Sequence, residues 1–93
     1  MRIDEFEWDE HNEAHVAQRG FTPVHLSAVL EGDYLVLRNK RAASGEYRVI
    51  GRDLGGRLVT VVISSTHFPG RWRPVTAWRS NTMEERHARR NDI

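Results

Sequence analysis

The sequence predicts an α+β domain in which two N-terminal helices and a C-terminal helix pack on one face of an antiparallel sheet of about four strands. Three observations predict it. Helix-start signals occur twice within residues 1–33 and once more at Thr82. Between Tyr34 and Trp78 the apolar pattern shifts to alternation and β-branched blocks, and turn residues separate those blocks. A chain of 93 residues supports one hydrophobic core, so residues 1–93 read as a single domain.

Taken in order, Ile3 to Trp8 alternates apolar and acidic side chains, the pattern of a short strand. Asp9 stands at a helix N-cap, with Glu10 and Glu13 in the first turn against the positive end of the dipole and Gly20 closing the segment. The second helix starts with Thr22 as cap, Pro23 at the first helical position and Phe21 set to staple onto Leu26. Its buried stripe is Leu26, Val29 and Leu30, and Gly32 ends it. Strands follow at Tyr34 to Leu37, Glu46 to Arg52 and Arg57 to Ser64, the last two joined as a hairpin through Asp53, Gly55 and Gly56. Trp72 to Trp78 alternates again, and Pro74 marks an edge strand or a bulge because proline cannot donate to the ladder. The last helix opens at Thr82, with Glu85 as its capping-box partner, and runs into Arg86, Arg89 and Arg90.

Composition narrows the function classes. At 39% hydrophobic and 29% charged, the chain belongs with globular rather than disordered proteins. It has no cysteine, which excludes a disulfide framework, a thiolate zinc site and a cysteine nucleophile, and fits a reducing, cytoplasmic life. The longest nearly apolar run, Leu58 to Ile63, is far short of a membrane span, and the acidic start is unlike a signal peptide. The net charge of +1 conceals an asymmetry. Residues 1–33 hold eight acids and two bases, residues 34–93 twelve bases and five acids, and thirteen of the fourteen bases are arginine. Arginine binds phosphate with two prongs, so this distribution suits a basic face for a polyanion, with the acidic segment lying elsewhere or pairing with it.

Alternation groups Glu46, Arg48, Ile50 and Arg52 on one side of their strand, and Arg73, Val75, Ala77 and Arg79 on one side of theirs. If the sides coincide, Glu46, Arg48, Arg52, Arg73 and Arg79 form a basic surface around one carboxylate. A solvated face of cross-strand Glu and Arg pairs satisfies the same pattern. The functional reading is metal-independent RNA cleavage, in which a ribose 2′-hydroxyl attacks the adjacent phosphate. Glu46 takes the proton, Arg48 and Arg79 stabilise the phosphorane, and a histidine or water protonates the departing oxygen. His15 is the histidine of interest, because Asn12, His15, Val16 and Arg19 share a helical stripe. A packing or capping hydrogen bond against the sheet is the more ordinary role for such a histidine. His11 and His15 have metal-ligand spacing, but Asn12 follows His11 where the zinc-protease motif needs glutamate and no third ligand is evident, so no metal or other cofactor is expected. Trp8, Trp72 and Trp78 suit base stacking. The cap position makes Trp8 a core anchor, and alternation puts Trp72 and Trp78 under the helices, away from the arginines.

Several segments together resemble the BrnT family of small bacterial type II toxins, ribonucleases with a RelE-like fold. The carriers are Phe6-Glu7-Trp8-Asp9, then Asn12-x-x-His15-Val16-x-x-Arg19-Gly20-Phe21-Thr22-Pro23, then Tyr47-Arg48-Val49-Ile50-Gly51-Arg52. They continue with Gly56 to Val62 and with Arg73-Pro74-Val75-Thr76-Ala77-Trp78-Arg79, followed by Glu85. The resemblance implies an endoribonuclease acting on RNA, neutralised by a cognate antitoxin, and assembled as a homodimer or a toxin–antitoxin hetero-oligomer. Carried over by position, Trp8, Glu46, Arg48, Arg79 and Glu85 fall on recurrent polar and aromatic positions. Glu46, Arg48, Arg79 and His15 are then the expected catalytic set, and Arg52, Arg73, Trp8 and Glu85 the expected RNA contacts. Arg19 stands where many members have histidine, Trp78 interrupts a small-residue–arginine pairing and Arg89 replaces a common tyrosine. A non-catalytic nucleic-acid or protein-binding module on the same fold is the alternative these departures leave open.

Overall fold

The computed structural model describes residues 1–40 and 45–93. Its elements are β1 (Glu5–Phe6), α1 (Glu10–Ala17), α2 (Pro23–Ser27) continued by a 3-10 turn (Ala28–Glu31), β2 (Tyr34–Arg38), β3 (Tyr47–Arg52), β4 (Leu58–Ser65), β5 (Arg71–Arg79) and α3 (Thr82–Arg90). The class is α+β, as the sequence predicts, but the architecture differs in two respects. Among the described residues the sheet has five strands, ordered β1-β5-β4-β3-β2. It is mixed, because the short N-terminal strand joins it parallel to β5, with Glu5 opposite Arg71 and Phe6 opposite Trp72.

The second difference is that the helices divide between the two faces. On one face, Val49, Val59, Val61, Ile63 and Ala77 pack against Val16, Phe21, Leu26 and Val29 from the N-terminal helices. The other face carries Ile50, Thr60 and Val62, also buried, and there α3 is anchored through Glu84 to Arg48 and Trp78. The reason lies in β4. Its apolar run Leu58–Ile63, interrupted only by Thr60, leaves both faces needing cover, as central strands generally do, and one layer of helices covers only one.

The N-terminal helix starts hold as predicted. Asp9 Oδ1 accepts from the Asn12 amide at 3.0 Å, and Asn12 Oδ1 accepts from the Asp9 amide at 2.8 Å, a reciprocal capping box. Thr22 caps α2 by accepting from the His25 amide at 3.2 Å, and Phe21 and Leu26 are both buried as the staple requires. With five residues α2 is too short to stand alone, and the 3-10 turn that extends it drops Val29 onto Gly51. A Cβ at Gly51 would lie 2.9 Å from Val29 Cγ1 and 3.1 Å from Tyr34 Cβ, so this crossing tolerates only glycine without rearrangement. In the β3–β4 hairpin the Asp53 carboxylate accepts from the Arg57 amide and from Arg57 Nε, at 2.9 and 3.0 Å.

The C-terminal helix corrects the sequence reading by one position. Its N-cap is Asn81 rather than Thr82, and the partner in the capping box is Glu84 rather than Glu85. Asparagine ranks above threonine as an N-cap. The choice also places Glu84 on the sheet-facing side and Glu85 in solvent. Among the described residues no helix is long and apolar enough to cross a membrane.

Candidate functional site

Residues directly opposite one another in an antiparallel pair share a face. Arg48, Val62 and Thr76 therefore stand in one row, and Ile50, Thr60 and Trp78 in the next. Arg52, opposite Leu58, and Arg73, opposite Ser64, lie on the same face. The expected convergence thus holds for Arg48, Arg52 and Arg73 but not for Arg79. Pairing of β4 with β5 steps from Val62–Thr76 to Ile63–Pro74 and leaves Val75 without a partner. One extra residue reverses the parity of everything beyond it. Arg79 consequently lies opposite Val59 on the α1 face, and Trp78, expected away from the arginines, stands on the face of Arg48. Of the two readings of Pro74, the bulge is the one realised, on a strand with neighbours on both sides. Asn12 Nδ2 holds it there by donating to the Pro74 carbonyl at 3.0 Å and to the Glu7 carbonyl at 2.9 Å.

The most organised part of the face lies under the start of α3. Glu84 Oε1 accepts from the Asn81 amide at 2.9 Å and from Trp78 Nε1 at 3.0 Å, and Oε2 accepts from Arg48 Nη1 at 3.0 Å. The Glu84 side chain is 1% exposed and that of Arg48 20%. Burial pushes the Glu84 carboxyl up. The hydrogen bonds from the Asn81 amide, the Trp78 indole and the Arg48 guanidinium outweigh it and hold the group below the usual carboxylate range. Arg48 Nε is buried with no hydrogen-bond partner among the described residues. Arg48, Trp78, Asn81 and Glu84, together with Asn39, Lys40 and Val62, line a cleft of about 320 Å³.

The other expected site residues are distributed around this centre. Glu46, exposed and just before β3, accepts from the Ser65 amide at 2.8 Å and the Ser65 hydroxyl at 2.7 Å. Those bonds hold its carboxyl below the ordinary value. Arg52 reaches the Gly56 carbonyl at 3.4 Å and shares a separate cleft of about 330 Å³ with Leu58, Glu85, Arg89 and Ile93. Arg73 is clamped by both oxygens of Asp9, and that pairing first, then the Asn12 amide, lowers the Asp9 pKa to about 2. Arg71 donates from Nε to a single oxygen of Glu5 at 2.8 Å. The acidic N-terminal segment therefore pairs with the β5 part of the basic face.

Two expected site residues fall elsewhere. His15 is half-buried on α1, whose Val16 packs into the core on the opposite face of the sheet, so it does not meet Arg48. Trp8 donates from Nε1 to Ser27 Oγ at 2.9 Å, sits edge-on to Phe6, 6.4 Å between ring centres, and lines a separate cleft of about 420 Å³ with Val24 and Leu54. The structure thus joins Arg48 to Trp78, Asn81 and Glu84, keeps Glu46 close by in sequence, and separates Arg79, His15 and Trp8 from them. Sequence reasoning missed Glu84, Asn81, Asn39 and Lys40 as members of the site. The Asn-x-x-Glu spacing at Asn81 was a signal of equal form to the one at Thr82, and Lys40 is the only lysine in the chain.

Among the described residues no group of three or more histidine, aspartate and glutamate side chains is placed to hold a metal ion. No protein-family model matches the chain, and no curated protein matches it.

Proposed function

We propose that the chain is an RNA-directed toxin of the BrnT-like, RelE-fold class, a metal-independent endoribonuclease that works in the cleft between β3, β5 and α3. The observation that carries this reading is the Arg48–Glu84 pair. A buried carboxylate with both oxygens engaged holds the Arg48 guanidinium at Nη1, and Arg48 lines a cleft together with Lys40. Such a pair presents a preorganised cation to a phosphate. The antiparallel core of β2 to β5 is compatible with the fold the resemblance implies.

In this reading the scissile phosphate sits against Arg48 and Lys40, with Val62 and Trp78 as the apolar wall for the sugar. The 2′-oxygen bonds to phosphorus as the bond to the 5′-oxygen breaks, leaving a cyclic phosphate and a 5′-hydroxyl. Glu84 positions Arg48 and takes no proton, since it is buried and held ionised. Glu46 is two residues from Arg48 along the chain and exposed, and it takes the 2′-proton; water protonates the departing oxygen. The lowered Glu46 pKa makes it a weak base, so cleavage is expected to be slow.

The second reading is RNA or protein binding without cleavage. It is favoured by the location of His15 and Arg79 on the far face, which leaves the expected catalytic set incomplete. The test incubates purified protein with single-stranded RNA in the presence of a chelator. Cyclic-phosphate ends that disappear in Arg48→Ala, along with growth arrest on expression, support the enzyme. Intact RNA that is still retained, with affinity falling at least about tenfold in Arg48→Ala, supports binding alone. RNA neither cut nor bound ends both.

A further inference from the structure

We infer that two copies of this chain associate through β2, edge to edge and antiparallel about Val36, to form one continuous sheet. The inference does not depend on the RNA reading. It starts from the ladder. The Asp53 amide donates to the Arg57 carbonyl, so the odd residues of β3 bond to β4 and the even ones, Arg48 and Ile50, bond to β2 opposite Leu37 and Leu35. The Asn39 amide, donating to the Glu46 carbonyl, continues that phase. The amides and carbonyls of Tyr34, Val36 and Arg38 must then point outward. Among the described residues nothing bonds to them, because β2 ends the sheet.

Natural edges are usually blunted by proline, inward charge or a bulge. Tyr34-Leu35-Val36-Leu37-Arg38 has none of these and carries a charge only at its end. Its outward groups suit a second copy. With the two-fold axis at Val36, the outward groups of Val36 meet those of the other Val36, and those of Tyr34 meet those of Arg38. Each outward N–H then finds an outward C=O. On the α3 face Leu35 lies against the other Leu37, and both are half-buried within one chain. Charge points the same way. Glu31 and Asp33 precede the strand, and Arg38 and Lys40 finish it, so antiparallel pairing sets acid against base at both ends whereas parallel pairing sets like against like. This closed, isologous contact makes a dimer rather than a fibre.

The test is sedimentation of the whole chain across a concentration series, together with amide exchange. The expected result is a dimer in which the Tyr34, Val36 and Arg38 amides gain protection as concentration rises. Val36→Pro removes an outward donor and leaves the β3 ladder intact, so it is expected to be monomeric with an unchanged circular dichroism spectrum. Should that variant not fold, Asp33→Arg and Arg38→Glu serve instead: each is expected to weaken the dimer, and the double variant to restore it. A wild type that stays monomeric, a dimer whose three amides exchange freely, or protection that arises only when a different protein is bound would overturn the inference.

Discussion

Arg73 on β5 and Arg48 on β3 share a sheet face, and each is paired with a carboxylate, yet the two pairs differ in kind. The Asp9 and Arg73 side chains are 47% and 31% exposed; those of Glu84 and Arg48 are 1% and 20% exposed. An exposed pair is screened by salt and adds little to stability, and here its effect is to neutralise a cation that would otherwise face solvent. A buried pair adds little net stability over an apolar substitute, but it is costly to break and it fixes the geometry of what it holds. A count of arginines on a face therefore says less about a binding site than which of them is held from below and open from above.

The comparison can be broken most easily at Glu84. Replacing it with alanine strands Arg48, the Trp78 indole and the Asn81 amide together, and is expected to cost about 3–5 kcal/mol. Urea unfolding at pH 7 measures this. Glu84→Gln keeps an acceptor oxygen and should cost less; a loss in Glu84→Ala as small as that of a surface substitution would make the two pairs equivalent after all.

A titration sharpens the distinction. The folded pKa values of Glu84, Asp53 and Asp9 are all depressed. The stability they contribute is complete above the unfolded carboxylate range near ~4. It is lost as pH falls through the folded values, which for Asp9 is about 2. Acid unfolding followed by tryptophan fluorescence should therefore begin below about pH 4, with Glu84→Gln changing the curve and Asp9→Asn, which alters only an exposed pair, leaving it nearly unchanged.

The smallest effect is expected from that same Asp9→Asn at neutral pH. Asparagine still caps α1, so only the contact with Arg73 is lost. The urea midpoint should be unchanged at physiological salt and shift slightly at low salt. A large shift at physiological salt would mean that the N-terminal pair is as structural as the buried one.

Much of this was readable in the chain. Asp9, Thr22 and Pro23 announce their helices by local hydrogen bonding, and Asp53 with Gly56 announces the hairpin, because short-range chemistry decides these features. The two-sided burial of β4 is also legible in its nearly continuous apolar run, which demands helices on both faces. What escaped depended on partners distant in sequence. The bulge at Val75 is held by Asn12 through the carbonyl of Pro74, sixty-two residues further along the chain, and no periodicity within β5 reveals it. Pairing of Glu5 and Asp9 with Arg71 and Arg73 required knowing that β1 docks parallel on β5. The capping box at Asn81 was local and visible, but two overlapping signals one residue apart are distinguished only by which glutamate the sheet accepts. Each miss moved a site residue: Arg79 left the face, Trp78 and Glu84 entered it, and Arg73 was quenched.

The unpaired Val75 has a further bearing on variation. A strand that skips a beat alternates inside and outside in opposite phase on its two halves, so tolerance to substitution along Arg71–Arg79 should not follow one even rhythm. The residues before the skip and those after it should each follow their own rhythm, and an aligned relative lacking that residue would carry the arginine at the end of the strand on the other side of the molecule.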